Sequence, residues 1–319
     1  MKKILITGGA GYIGSHTAIF LEKRGYEVAV YDSLEKGHAQ SIPKRTPLII
    51  GDISDSELLD KTFKEFKPDT VMHFAGYTEV EESMKYPKKY FKNNLVNSIN
   101  LVKAMKKAEV NKIIFSSTAA VYGTPDRIPI TEDMKPDPVN NYGLSKLLFE
   151  NYLDICEEIN SVCLRYFNAA GAGYGIGESH KPETHLIPLA IKSAQGQGEV
   201  NIFGTDYDTP DGTCIRDYVH VLDLANAHAL ALDTVEERSE KYNLGTGKGY
   251  SVNEVINAIE RISGKEVAKK TCERRPGDPP VLIASAEKIK KELGWEPERG
   301  LDKIIESAWT WHSKNPNGF

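Results

Sequence analysis

Tyr142 and Lys146 stand four residues apart in Asn141-Tyr142-Gly143-Leu144-Ser145-Lys146, at the start of a stretch whose pattern predicts a helix over 141–158. On a helix, such a pair shares one face. Free tyrosine titrates near ~10, so bringing it to ~7 takes roughly 4 kcal/mol of preference for the phenolate. One cation at ~4 Å in an effective dielectric of ~20 supplies about that much; desolvation pulls the other way. The chemistry would be proton exchange with a hydroxyl. The same spacing is common on ordinary helix surfaces, so its weight comes from the segment before it. A predicted strand ends there in Ile114-Phe115-Ser116-Ser117-Thr118, a run of hydroxyls. Ser116 and Ser117 read at least as well as caps of the strand edge. Thr118, last of the run, is best placed to reach a substrate hydroxyl and share its proton with Tyr142.

A second constellation lies at the N-terminus. Gly8-Gly9-Ala10-Gly11-Tyr12-Ile13-Gly14 follows the apolar run Ile4-Leu5-Ile6-Thr7 and opens an amphipathic segment (Ile13, Thr17, Phe20, Leu21). Glycine permits a tight turn and lets a pyrophosphate approach amides at a helix N-terminus. The spacing is one residue wider than the dinucleotide fingerprint G-x-G-x-x-G. Asp32 ends the next apolar run, Val28-Ala29-Val30-Tyr31. A carboxylate there would accept from adenosine ribose hydroxyls and repel a 2′-phosphate, which favours NAD over NADP. The plainer reading makes Asp32 a turn former before Ser33.

These groups need a scaffold. Predicted strands at 3–7, 27–31, 48–51, 70–74, 112–116 and 162–167 alternate with helical patterns, notably 54–66, 87–108 and 141–158. Such alternation predicts an α/β fold with a doubly wound parallel sheet, whose ligand crevice lies outside the C-terminal strand ends. After Asn168 the pattern breaks into glycine-rich turns, which suggests a smaller, loop-rich α/β domain. The expected division is 1–167 for the dinucleotide domain and 168–319 for the second, with 218–233 packing back onto the first. The length of 319 residues suits two domains.

Composition is that of a globular protein, 40% hydrophobic and 27% charged, with net charge −5. No basic tract with interleaved aromatics argues for nucleic acid. No apolar run reaches the ~18 residues that span a membrane, and Met1-Lys2-Lys3 leads straight into a strand. Cys156, Cys163, Cys214 and Cys272 lack C-x-x-C spacing and read as reduced thiols, hence a cytoplasmic location. His180 and His185 flank Glu183 in a loop without helical register; they read as solvated residues, and no metal is expected.

Together, the glycine turn, Asp32, His73-Phe74-Ala75-Gly76, the run Ser116 to Gly123 and Tyr142-x-x-x-Lys146 resemble the extended short-chain dehydrogenase/reductases, and within them the members that modify nucleotide sugars. Further matches are Leu164-Arg165-Tyr166-Phe167-Asn168, Phe203 to Tyr207, Asp211 to Tyr218, Tyr242 to Gly247 and Arg274-Arg275-Pro276-Gly277-Asp278. The resemblance covers essentially the whole chain. It implies that Gly8, Gly11, Tyr12, Ile13 and Gly14 hold the pyrophosphate of NAD, Asp32 and Ser33 the adenosine ribose, and Asp52 and Ile53 the adenine. Phe74, Ala75 and Gly76 would line the cofactor wall, with Asn93, Ser116 and Tyr166 among the contacts. Thr118, Tyr142 and Lys146 would be catalytic, the last two also touching the cofactor. Asn168, Phe203, Arg216, Arg275 and Asp278 would grip UDP, with His185, Leu186 and Leu282 nearer the sugar. Two arginines can fork onto a diphosphate. Without the resemblance, Phe203 reads as core and Arg216 as a partner of Asp217.

Three positions depart from the family's pattern. Thr78 stands where many members have a lysine that touches the cofactor, which weakens expected cofactor retention. His185 replaces an asparagine that often meets substrate. Leu282 occupies the sugar-gating position, which is tyrosine in strict glucose/galactose members and small in those taking N-acetylhexosamines. The implied reaction is inversion at C4 of a UDP-hexose through a 4-keto intermediate, in a homodimer built on the helices at 87–108 and 141–158. Related 4,6-dehydratases need an extra acid/base just after Thr118; Ala119 and Ala120 cannot transfer protons. The alternatives are epimerisation of UDP-N-acetylhexosamines or UDP-glucuronate and, outside enzymes, an NAD-binding sensor.

Overall fold

The computed structural model describes residues 2–275 and 278–319. In chain order its main elements are β1 (Lys3–Thr7), α1 (Tyr12–Lys23), β2 (Glu27–Asp32), β3 (Leu48–Ile50), α2 (Ser56–Phe66), β4 (Thr70–His73), α3 (Val80–Lys85), α4 (Pro87–Tyr90), α5 (Ser98–Lys107), β5 (Lys112–Thr118), α6 (Asn141–Asp154) and β6 (Asn160–Tyr166). Then come β7 (Asn168–Ala170), α7 (Leu186–Ala194), β8 (Val200–Phe203), β9 (Ile215–His220), α8 (Val221–Glu237), β10 (Glu240–Leu244), β11 (Gly249–Ser251), α9 (Val252–Ser263), β12 (Lys269–Cys272), β13 (Val281–Leu282), α10 (Glu287–Leu293) and α11 (Leu301–Lys314).

Seven strands form one sheet in the order β10-β6-β5-β4-β1-β2-β3. The β1–β2, β1–β4, β2–β3 and β4–β5 pairs are parallel. This is the expected doubly wound α/β fold, widened by β10, which the sequence reading did not count. The chain runs outward from β1 to β3, then returns to β4 on the other side of β1. The strand order therefore reverses between β1 and β4, which is where such sheets bind ligands. The central strands read as continuous apolar runs because both of their faces are buried: Ile4, Leu5 and Ile6 are fully buried, as are Val71, Met72, Ile113 and Ile114.

Two compact units divide the chain: 1–123, 135–165 and 225–242 in the first, 124–134, 166–224 and 243–319 in the second. The division is thus not a single cut at 167/168. Residues 218–220, expected to return to the first domain, end β9 of the second unit, whereas 225–242 do join the first. In the second unit β7, β11 and β13 all pair with β9, and α7, α9 and α11 pack over a core of Ile187, Ile191, Val255, Ile259, Ile304 and Ile305. There α9 starts with a capping box, Ser251 and Glu254 each bonding the other's backbone amide.

The helix expected over 87–108 is three pieces: α4, a π-helical stretch Phe91–Asn97, and α5. The wider turn shifts the side-chain register, and such turns recur at functional sites. The other long helix ends at Asp154 rather than at 158.

Candidate active site

At the β1–β4 switch, Gly8 adopts φ +71° and presses against the segment after β4. A Cβ there would lie 2.3 Å from the Ala75 amide nitrogen, so only glycine fits. Gly11 caps α1 without any side-chain bond to the helix, and the first turn, with Tyr12, Ile13 and Gly14, carries no acidic residue. That leaves a helix N-terminus whose partial positive charge faces no competing carboxylate of its own turn. Asp32 is buried at the end of β2, accepting from the amides of Ala10 (2.9 Å) and Leu34 (2.8 Å). Burial pushes its carboxyl above the ordinary value, and the two amide bonds oppose that. Each oxygen retains a further lone pair for a hydroxyl donor. Asp32 is therefore also a turn former, as the plainer reading held. Nearby, Ser33 is exposed, with its hydroxyl accepting from the Glu35 amide, and half-buried Asp52 accepts from the Ser54 amide beside buried Ile53. This set of amides, one hydroxyl and two carboxylates fits a dinucleotide.

The wall after β4 is Phe74, Ala75 and Gly76. The Phe74 ring packs 4.6 Å from that of His228. Asn94 closes this wall, accepting from the Tyr77 amide (2.9 Å) and donating to the Tyr77 carbonyl and to Ser145 Oγ. A Cβ on Gly76 would lie 3.2 Å from Asn94 Oδ1 and 3.3 Å from Lys146 Nζ. Asn93, expected among the cofactor contacts, donates to Asn94 Oδ1. Both asparagines lie in the π-helical stretch, Asn94 buried and Asn93 half-buried. Thr78 is exposed and donates its amide to Glu79.

The N-terminus of α6 lies directly on the turn after β5. A Cβ on Gly143 would fall 2.4 Å from the Ala120 carbonyl oxygen, and Asn140 caps the helix through the Gly143 amide (2.8 Å). That approach sets Tyr142 beside Thr118, whose hydroxyl favours the phenolate and whose Oγ1 accepts from the Ala120 amide (3.1 Å). Lys146, 2% exposed, donates from Nζ to the Ser116 carbonyl (2.8 Å) and lies 4.7 Å over the Phe115 ring. Ser117 is not an edge cap; it donates to Glu150 at 2.5 Å. Glu150 in turn holds Arg165 in a buried bidentate pair, and Arg165 also donates to Tyr122 Oη (2.7 Å). No sequence spacing announced this network, whose members come from four separate elements. Buried Tyr166 ends β6.

The electrostatics correct the simple expectation for the pair. Burial pushes the Tyr142 hydroxyl up to about 12, with the Glu79 charge adding to it against the Thr118 bond. Burial pulls Lys146 down to about 7, opposed by Glu150. His73, bonded to Thr7 Oγ1 (2.7 Å) and Ser98 Oγ (2.9 Å), falls to about 3 through burial and the Lys146 charge, so it stays neutral. Reaching ~7 from about 12 takes about 7 kcal/mol. A single cation at ~4 Å supplies about 4. The gap is thus more than one cation at that distance supplies.

The second unit carries the other predicted residues. Arg216 Nη2 meets Asp278 Oδ1 at 2.5 Å and Nη1 donates to the Ile215 carbonyl. The alternative partner, Asp217, is occupied by the amides of Thr246, Gly247 and Ala284. Leu282 pairs in register with Arg216 on β13–β9. Arg275 lies 3.8 Å over the ring of Phe203, which is half-buried rather than core; Pro276 and Gly277 of the same motif lie outside the described residues. Asn168 is exposed at the start of β7. His185 precedes α7, and Leu186 packs on the second core. His180, Glu183 and His185 are not separate solvated residues: they gather with buried Glu178.

The family described as "NAD dependent epimerase/dehydratase family" matches residues 4–245. Over 99% of its length the chain is 50% identical to 97% of the UDP-glucose 4-epimerase of Halalkalibacterium halodurans. It superposes on a Bifidobacterium longum UDP-glucose 4-epimerase solved with NAD+ and UDP at TM-score 0.95, with 43% identity and all of both chains covered. A UDP-Glc/GlcNAc 4-epimerase from Campylobacter jejuni matches at TM-score 0.86 and 42% identity, covering 98% of this chain and all of that one. The dinucleotide cradle at the sheet's switch point and the Tyr142–Thr118 contact lie within the matched span. The chain belongs to the NAD dependent epimerase/dehydratase family.

Proposed function

We propose that the protein interconverts UDP-glucose and UDP-galactose by NAD-dependent inversion at C4. The observation that carries this reading is the packing of α6 on the turn after β5, which sets Tyr142 beside Thr118 with Lys146 buried on the same helix. Gly8, Gly11, Tyr12, Ile13 and Gly14 would hold the pyrophosphate, Asp32 and Ser33 the ribose, Asp52 and Ile53 the adenine. Bound NAD supplies a two-electron acceptor for C4 and, when oxidised, a second positive charge. Tyr142 Oη then takes the C4 hydroxyl proton, relayed through or steadied by Thr118 Oγ1, and returns it to the C4 oxygen after the ketosugar has turned. Lys146 lowers the cost of the phenolate, and the Ser116 carbonyl fixes the ammonium. In the second unit, Arg216 and Arg275 would neutralise the diphosphate and Phe203 would stack on uracil, with Asn168, Asp278, His185 and Leu186 as further contacts.

Elimination of the 6-hydroxyl has no acid/base to serve it, because the two positions after Thr118 are Ala119 and Ala120. The relatives at 50% and 43% identity support the glucose/galactose pair. We also infer a homodimer: Met84, Tyr86, Val96, Leu148 and Ile155 are exposed apolar residues on or beside α3, the π-helical stretch and α6. Four free cysteines support a reducing, cytoplasmic setting; among the described residues no helix is long and apolar enough to cross a membrane. The deciding experiment incubates the protein with UDP-glucose, UDP-GlcNAc, UDP-glucuronate and UDP-xylose separately and reads C4 stereochemistry by NMR. Conversion of UDP-glucose to UDP-galactose is expected to be fastest. Conversion of none, despite bound NAD, would leave a sensor as the correct reading, and conversion of UDP-glucuronate or UDP-GlcNAc first would reassign the substrate.

A further inference from the structure

The loop leading into α7 brings together Glu178, His180, Glu183 and His185, each offering one ligand atom, all within 4.8 Å of one another. Their spacing, Glu-x-His-x-x-Glu-x-His, belongs to no regular element, so the loop's own path creates the cluster. Both imidazoles turn Nδ1 toward the carboxylates. His185 Nδ1 lies 2.9 Å from Glu178 Oε1 and 2.9 Å from Glu183 Oε1; His180 Nδ1 lies 3.3 Å from Glu178 Oε1 and 3.9 Å from Glu183 Oε2. Tetrahedral zinc with bonds of about 2.0 Å has ligand atoms roughly 3.3 Å apart. With one atom taken from each residue the set extends to 4.8 Å, so the wider pairs close inward when the ion binds. We propose that these four side chains form a structural zinc site that ties the loop to the start of α7.

The ligand chemistry selects the ion. Two imidazoles disfavour calcium and magnesium, and the absence of thiolate among the four favours zinc over softer-ion sites. Two carboxylates balance a divalent charge exactly once. Both are held in place: the Glu178 and Glu183 side chains are 6% and 4% exposed. Glu183 Oε1 also accepts from the amides of Thr184 (2.8 Å) and His185 (2.9 Å). Gly177, before Glu178, abuts α11 so closely that a Cβ would lie 2.5 Å from the Trp311 ring. Four protein ligands leave no open position, which marks a structural rather than a catalytic ion.

Protons are the ion's competitors. His312 of α11 and Lys192 of α7 are the further titratable groups around the four ligands. Zinc would displace the imidazole protons, so binding releases protons and weakens in acid.

The full-length protein, prepared without a metal-affinity tag and stripped with chelator, is titrated with Zn2+ by calorimetry in two buffers of different ionisation enthalpy. One equivalent bound at micromolar affinity or tighter, with proton release, is expected. Loading with Co2+ should give the intense visible bands of a four-coordinate ion without thiolate charge transfer. His180→Ala and Glu178→Gln should each weaken binding by about tenfold or more. The absence of a stoichiometric site in the wild-type protein would leave a proton-bridged cluster and overturn the proposal. A thiolate band, pointing to a cysteine, or unchanged affinity in both variants would overturn it equally. The wild-type titration and the Co2+ spectrum decide the matter even where a variant fails to fold.

Discussion

The first unit keeps Lys146 2% exposed, with a backbone carbonyl and an aromatic face as its closest partners. The second unit leaves the Arg216 side chain 12% exposed and gives it the carboxylate of Asp278, itself 31% exposed. Burial moves Lys146 to about 7, within reach of proton exchange at neutral pH. Arg216 offers a planar fork of donors that matches a diphosphate. A cation that must help move a proton gains from desolvation. A cation that must accept a diphosphate gains from a partner at the surface that an anion can replace. On the proposed roles, the two units use their cations differently, one for acidity and one for affinity.

Tyr142→Phe tests the first half of that contrast and carries the largest expected effect. Turnover should fall by about 10²–10⁴, the span of a positioned acid/base, while NAD and UDP still bind. Near-normal turnover would remove Tyr142 from the mechanism. Lys146→Met should lose turnover to a similar degree and displace the pH–rate profile upward.

Arg216→Ala tests the second half. A charge-assisted bond is worth about 1.5–3 kcal/mol, or roughly ten- to 150-fold, and the loss should fall on KM with kcat little changed. A loss confined to kcat would mean that Arg216 acts in the chemical step and that the contrast fails. Leu282 sharpens the same region, since it lies in register with Arg216. Leucine offers an acetamido group no hydrogen-bond partner, and an unpaired amide costs about 1–3 kcal/mol. UDP-glucose should thus be preferred over UDP-GlcNAc by roughly ten- to a hundredfold in kcat/KM, with leakage rising in Leu282→Ser and vanishing in Leu282→Tyr. Equal kcat/KM on the two sugars in the native protein would refute the gate.

A last effect falls on stability rather than on turnover. Lys146 is held at about 7, whereas lysine in an unfolded chain keeps the ordinary ~10.4. Between those values the unfolded state binds more protons, so this group makes the protein more stable as pH rises through the window. Below about 7 both states are protonated and its contribution is flat. Tm measured at neutral and alkaline pH should show that slope in the wild type relative to Lys146→Met. A difference in Tm that does not change with pH would show that burial does not perturb Lys146.

What was legible in the sequence was local. The glycine turn lies between β1 and α1, Asp32 ends β2, and Thr118 and Tyr142 sit at the strand end and helix start where their spacing put them. Backbone preference and hydrophobic period act over a few residues, and they act the same way whatever surrounds them. The partners of Asn94, the Tyr77 backbone and Ser145, come from a π-helical register that no periodicity announces. Asp278 meets Arg216 across 62 positions, and Glu150, Arg165, Tyr122 and Ser117 close a buried network from four elements. The acidity of Tyr142 and Lys146 followed neither residue type nor spacing, because desolvation depends on every chain segment that covers them. Glu178 joined two histidines and a glutamate through the path of a loop. Sequence by itself determined which groups were present and which short-range geometry they took; the packed structure alone decided their partners and their charge, since both depend on contacts between residues far apart in the chain.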